Sequence, residues 1–253
     1  WDGIDDPAKA VAEAQAAINL DPRSEASRLQ LAQVFLTRNT PQPAVEILSQ
    51  ALPLFPESTL IRLGLGIALN GVERYDEAVR VLTDCLRRKP DFGPAFEALG
   101  NAYLGLADYA RLRTTAMAYV RRNPDDYRGY YYQAAASDKL AMDAAGTEAL
   151  LRRSVSLNPR FAGSTALLGK ELIDEGRTME AANALDQAIR MRPNDKLAHL
   201  YLGIAYRKLG RQEDARRESA ELSRLNDEEN RAAPKLRYHR GKAPDTLKTR
   251  DQK

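Results

Sequence analysis

Apolar and small residues recur along the chain at the spacing of a helical face and, over a longer range, with a period of 34 residues. Within Phe96 to Tyr109, the residues Phe96, Leu99, Gly100 and Tyr103 stand three, one and three positions apart. That spacing puts them on one face of an α-helix, with a gap at Gly100 where a second helix can come close. Steps of 34 from Gly100 reach Gly66 and Ala32 upstream and Ala134 downstream; a step of 35 then reaches Gly169, and 34 more reaches Gly203. Pro22, Pro56, Pro90, Pro124, Pro159 and Pro193 keep the same beat and slip by one in the same place. Two residue classes sharing one period and one slip predict a tandem array of helical hairpins, each closed by a proline-bearing loop.

The period divides the chain into six units, 25–58, 59–92, 93–126, 127–161, 162–195 and 196–229. Before them, residues 1–23 hold a lone second helix over 6–20, either a partial repeat or an end cap made by Trp1 and Ile4; after them, residues 230–253 read as a basic tail outside the core. In the first unit Asn39 to Pro43 reads as the turn, taking both prolines into a loop. In the third, Leu112 and Tyr119 replace small residues and predict a local widening. The fourth is the least regular, with Gln133 and Ser137 at positions that are Leu or aromatic elsewhere and its extra residue expected between Asp143 and Gly146. Tyr130 takes its core position, beside Tyr127, Tyr131 and Tyr132.

Small residues at the helix-packing positions, Gly66, Gly100, Gly169 and Gly203 on the first helices and Ala78, Ala181 and Ala215 on the second, are expected to let paired helix backbones approach. A helical glycine costs about 1 kcal/mol relative to alanine, so its recurrence must be offset by contact made there. On that basis enlarging Gly100 should disrupt the array, whereas a change at Glu73 should be nearly silent.

This spelling, aromatic-x2-Leu-Gly-x2-Tyr, then Ala-x3-aromatic, then Pro, resembles the tetratricopeptide repeat. The resemblance implies an all-α fold, a right-handed α-solenoid in which at least about three units must stack to be stable. It also implies a non-catalytic scaffold whose first helices line a concave groove for a protein or peptide. Family groove positions fall here on residues that are apolar at both ends, among them Leu29, Leu36, Leu63, Ile67, Leu197 and Leu200, and polar in the middle. The proposed ligand-binding set is Glu97, Asn101, Arg128, Tyr131, Asp138 and Lys170. Tyrosine supplies a rigid buried ring with a polar tip, and arginine directional charge-assisted bonds. The bland alternative has these tyrosines merely covering an irregular unit. The family's clamp for a terminal carboxylate is not spelled: Leu63, Gly64 and Ile67, then Tyr132 and Gly163, stand where its asparagine and basic residues belong.

Composition narrows the classes further. The 253 residues are 43% hydrophobic and 29% charged, and no run approaches the roughly 20 apolar residues of a membrane span. Net charge is +3, but residues 230–253 carry eight Lys or Arg against two Asp, a net +6, which leaves −3 on the rest. The tail could thus touch nucleic acid or an anionic membrane, the alternative to the scaffold reading, while the repeats show no basic column for specific nucleic-acid binding. Trp1 in place of an initiator Met raises the expectation of a longer protein, including an enzyme with its catalytic part upstream; the compartment stays open. Cys85 stands alone, at a position that is Ala in other units, and reads as a small core residue. His199 and His239 have no second His or Cys at a useful spacing, so neither metal, cofactor nor catalytic site is expected. Partners are a protein or peptide, with self-association through the repeat ends a further option.

Overall fold

The computed structural model describes residues 7–21 and 23–232, and these form thirteen α-helices with no strand among the described residues. A single helix, α1 (Pro7–Leu20), precedes six hairpins: α2 (Glu25–Thr37) with α3 (Pro41–Ala51), α4 (Thr59–Gly71) with α5 (Tyr75–Arg88), α6 (Gly93–Gly105) with α7 (Tyr109–Arg122), α8 (Tyr127–Lys139) with α9 (Ala144–Leu157), α10 (Ala162–Asp174) with α11 (Thr178–Met191), and α12 (Lys196–Lys208) with α13 (Gln212–Ala232). Each helix packs on its chain neighbours, and each first helix also touches the first helix of the next hairpin. The result is an all-α solenoid. The expected cap of Trp1 and Ile4, and residues 233–253 of the basic tail, lie outside the described residues; residues 230–232, assigned to that tail, belong instead to α13.

Local chemistry sets the helix ends. Side-chain oxygens of Ser24, Ser58, Asp108, Asp126, Asp143 and Asp195 cap first-turn amides, satisfying donors a helix cannot pair internally. Pro41 and Pro43 are not loop residues as expected: α3 begins at Pro41, because the first helical position needs no N–H and proline's fixed φ suits it. Every hairpin turn carries one residue in the left-handed region, Asn39, Glu73, Ala107, Ala141, Gly176 or Gly210. Glu73 is exposed, and its left-handed backbone would favour glycine there. The turn between α8 and α9 runs four residues, 140–143, where the others run three, so the extra residue of that hairpin lies there, immediately ahead of the expected stretch.

Leucines, alanines and a few rings fill the core between the helix layers, with Ala78, Ala181 and Ala215 all buried. At three of the four glycines side chains rather than backbones fill the gap, while at Gly203 the Ala215 backbone carbonyl of the paired helix lies 3.8 Å from where a β-carbon would stand. A β-carbon on Gly66 would lie 2.4 Å from Leu82, and one on Gly169 2.4 Å from Leu185. Both leucines stand sixteen residues after their glycine, on the paired helix. At Gly100 that partner position is Ala116, too short to reach, and Tyr132 of the next hairpin enters the gap. At Gly203 it is Ser219, and a β-carbon there would meet Glu218 at an ordinary 3.5 Å. Gly203 is thus not a close-packing glycine.

The third hairpin is open, as Leu112 and Tyr119 predicted: α7 makes the sparsest approach of any second helix to its own first helix and leans on α8 instead. Tyr119 stacks on Phe96 at 3.8 Å between ring centres. Contrary to expectation, Tyr130 is only half-buried, and Tyr132 is the interior tyrosine of the fourth hairpin. Tyr130 has a different job. Its hydroxyl donates to the Pro124 carbonyl at 2.9 Å, as Arg62 donates to Pro56 and His199 Nε2 to Pro193 at 2.8 Å. Three chemically different side chains at one repeat position close the proline loop six residues upstream. Cys85 is buried, donates weakly to the Thr59 carbonyl at 3.4 Å, and burial holds its thiol above the usual range.

Candidate functional site

All six proposed ligand residues lie on the first helices α6, α8 and α10: four form two ion pairs, Tyr131 stands among them, and Asn101 is joined to them through Tyr132. Arg128 Nε donates to Glu97 Oε2 at 2.9 Å, joining α8 to α6. About three turns further along α8 and across to α10, Lys170 Nζ donates to Asp138 Oδ1 at 2.7 Å and to Asp174 at 2.8 Å. Residues 31 and 32 apart in sequence meet, because a period near 34 stacks equivalent turns of successive first helices side by side.

The electrostatics of these pairs are self-contained. Burial works against the Arg128 charge, but the hydrogen bond to Glu97 and the nearby Asp126 overcome it and raise its pKa. Arg128 also lies over the Tyr127 ring at 4.7 Å, a favourable place for a cation. Burial likewise opposes the Lys170 charge, while hydrogen bonds to Asp138 and Asp174 raise its pKa above the usual value. Glu171, 3.3 Å from Lys170, is pushed up by burial despite that ammonium.

Asn101 is exposed on α6, with its Oδ1 2.7 Å from the Tyr132 hydroxyl. Tyr131 is half-buried, edge-on to Phe161 at 5.0 Å and to Tyr132 at 4.9 Å, and burial raises its pKa. It belongs to a run of rings, Tyr119, Phe96, Tyr132, Tyr131, Phe161 and Tyr127, that crosses from α7 to the loop before α10.

The first-helix face has a second feature at its N-terminal end. Leu29 and Leu36 of α2 and Leu60, Leu63 and Ile67 of α4 surround a cleft of about 360 Å³. Leu60 and Ile67 remain 52% and 41% exposed. At the other end Leu197 and Leu200 of α12 are 58% and 40% exposed. Exposed large apolar groups gathered on one face are what distinguishes a contact surface from an ordinary one. Leu60 was not singled out in the sequence, though its place one turn before Leu63 and two before Ile67 carried the signal.

Other chemistry is sparse. No group of three or more His, Cys, Asp or Glu among the described residues is placed to hold a metal. His199 is buried, with Nδ1 2.6 Å from Glu218 and Nε2 on the Pro193 carbonyl, so both ring nitrogens serve packing. No helix of the described residues is long and apolar enough to cross a membrane.

The tetratricopeptide repeat family model matches residues 166–234. The cell division cycle protein 27 homolog of Caenorhabditis elegans is 26% identical over 153 residues, which are 60% of this chain and 19% of that protein. Among solved structures, a tetratricopeptide repeat protein from Parabacteroides merdae superposes with a TM-score of 0.70 at 14% identity, covering 90% of each chain. The Cut9–Hcn1 hetero-tetramer of the APC/C superposes with a TM-score of 0.68 at 16% identity, covering 89% of this chain and 45% of that one. Over residues 166–234 the chain therefore carries tetratricopeptide repeats, and across its described length it has the helical-hairpin solenoid fold of tetratricopeptide repeat proteins.

Proposed function

We propose that the chain is a non-catalytic scaffold that holds a segment of another protein along the face of its first helices. The observation that carries this is the cluster of large apolar side chains left exposed there, Leu60 and Ile67 around the α2/α4 cleft. Because Leu60 and Ile67 are already about half buried, a partner that completes their burial would recover on the order of 1 kcal/mol each.

Within this reading the apolar ends supply affinity and the middle supplies register. Glu97, Arg128, Asp138 and Lys170 are already paired with one another, so a ligand need not neutralise a bare charge. Their remaining hydrogen-bonding edges, with the exposed side chain of Asn101 and the ring of Tyr131, give it polar anchor points. A structural neighbour, Cut9, is described in a hetero-tetramer, in keeping with an assembly role. The basic-tail alternative rests on residues outside the described set and gains no support.

Site-directed photo-cross-linking tests the assignment. A benzoylphenylalanine at position 67 should capture a discrete partner, and one at Arg80, exposed on α5, should not. The Ile67→Glu and the combined Tyr131→Ala and Arg128→Ala variants should weaken capture without unfolding the array. Equal cross-linking from positions 67 and 80 would remove the groove.

A further inference from the structure

The open third hairpin leaves a cleft on the other side of the solenoid. Because α7 leans away from α6, a recess of about 360 Å³ opens between second helices, with Leu86 of α5, Pro90 after it, Phe96 of α6 and Tyr119 of α7 as an apolar floor. Arg121 and Arg122, in the last turn of α7, stand at its mouth.

These two guanidiniums differ from their neighbours. Arg87 pairs with Asp84, Arg88 with Glu57 and Asp84, and Arg111 with Asp108. Neither Arg121 nor Arg122 has a carboxylate partner among the described residues. Of the nearby acids, Asp126 accepts from the Tyr119 hydroxyl at 2.7 Å and pairs with Arg128, Asp125 lies 3.6 Å from Arg153, and Asp91, whose charge reaches the Tyr119 hydroxyl, pairs with neither arginine. The helix C-terminus favours a cation at this place, but that field does not consume the guanidinium's hydrogen-bond donors.

From this we infer that the α5/α7 cleft is a second protein-docking site, which takes a large apolar side chain flanked by acidic residues. The apolar floor accommodates a leucine or phenylalanine ring stripped of water, and the two free guanidiniums bind carboxylates on either side through paired, charge-assisted hydrogen bonds. The recess follows from four side chains together. Ala116 is too short to fill the Gly100 gap, Tyr132 fills it from the next hairpin, and Leu112 and Tyr119 hold α7 off α6.

The test uses a fluorescein-labelled nonapeptide with a leucine-phenylalanine centre between glutamates, beside two controls, one with lysines for the glutamates and one with alanines for the apolar pair. Fluorescence anisotropy should show the acidic apolar peptide binding and both controls failing. The double variant R121E/R122E, entirely on the surface, and the cleft-filling Ala118→Trp should each weaken binding at least tenfold while circular dichroism still shows a cooperative melt, lowered in R121E/R122E only by the loss of cations at the helix C-terminus. Unchanged affinity in R121E/R122E overturns the site, as does equal binding of the alanine control, which would mean charge attraction alone, or no binding at millimolar peptide. The Ile67→Glu variant, on the α2/α4 cleft of the first-helix face, separates this site from the groove. It should leave peptide affinity intact, and a loss there would move the peptide to the first-helix face and sink the second-helix site.

Discussion

The ring of Tyr132 lies directly against Gly100: a β-carbon on that glycine would stand 2.5 Å from the ring, while the hydroxyl reaches the Glu97 carbonyl at 3.0 Å and Asn101 Oδ1 at 2.7 Å. One tyrosine thus closes the seam between α6 and α8 and holds a proposed groove residue in place. Gly100→Ala should cost about 1 to 3 kcal/mol, the usual penalty of overpacking. Gly203→Ala, with ordinary contacts around its β-carbon, should be neutral or gain up to about 1 kcal/mol of helix propensity. Urea denaturation midpoints decide this, and equal shifts for the two variants would refute the packing account.

The turn residues make a separate prediction. Ala107 adopts φ 55° and Glu73 φ 60°, a region that costs a residue with a β-carbon about 1 to 2 kcal/mol. Ala107→Gly and Glu73→Gly should therefore stabilise the protein by about 1 kcal/mol. Gly176→Ala should do the reverse, and since nothing lies within 4 Å of the added carbon, the loss would be purely one of backbone conformation. Thermal melts in the three directions check it.

Arg62 is buried and ties α4 to α5 through Asp84, and to the loop before it through the Pro56 and Ser58 carbonyls. Arg62→Met keeps the apolar stem but strands those acceptors. A loss of about 1 to 3 kcal/mol follows, greater than that of Tyr130→Phe, whose hydroxyl serves one carbonyl at a half-exposed position. Hydrogen exchange should localise the Arg62→Met effect to α4 and α5.

Glu148 gives a pH prediction with a definite sign. Burial alone would raise its pKa, but hydrogen bonds from Arg177 and Arg152 hold it below the ordinary 4.5. Just under pH 4.5 the unfolded chain then binds a proton that the folded chain does not, so stability falls as pH drops through the folded value. Glu148→Gln should lower the melting temperature at pH 7 and show a smaller loss on acidification, the two curves converging at low pH. Parallel curves would mean the carboxylate carries no such coupling.

The repeat period, the hairpins and the identity of most core residues are legible in the sequence because each depends on short-range spacing: a helical face repeats over three or four residues, and stacked units repeat the same face. The widening of the third hairpin was legible too, since Leu112 and Tyr119 occupy positions that are small elsewhere. Pro41 and Pro43 misled because proline ends helices inside but begins them at the first turn. The left-handed backbone of Glu73 was not legible because nothing in its side chain betrays it; only its place after a helix end, matched to Gly176 and Gly210, carries that signal.

By itself the sequence determined that this is a linear stack of helical pairs, since periodicity is a property of the chain and survives without knowledge of any contact. It also determined which residues would share the first-helix face. Only the tertiary structure decided what enters each gap. Four glycines at one repeat position look alike in the chain, yet Leu82 and Leu185 fill two gaps, Tyr132 fills a third, and the fourth is loosely met, because the filling side chain comes from sixteen or thirty-two residues away and its reach depends on its length. The same holds for charge. Glu97 with Arg128 and Asp138 with Lys170 read as free groove residues one by one, and become mutual partners only when adjacent helices bring them within hydrogen-bonding distance.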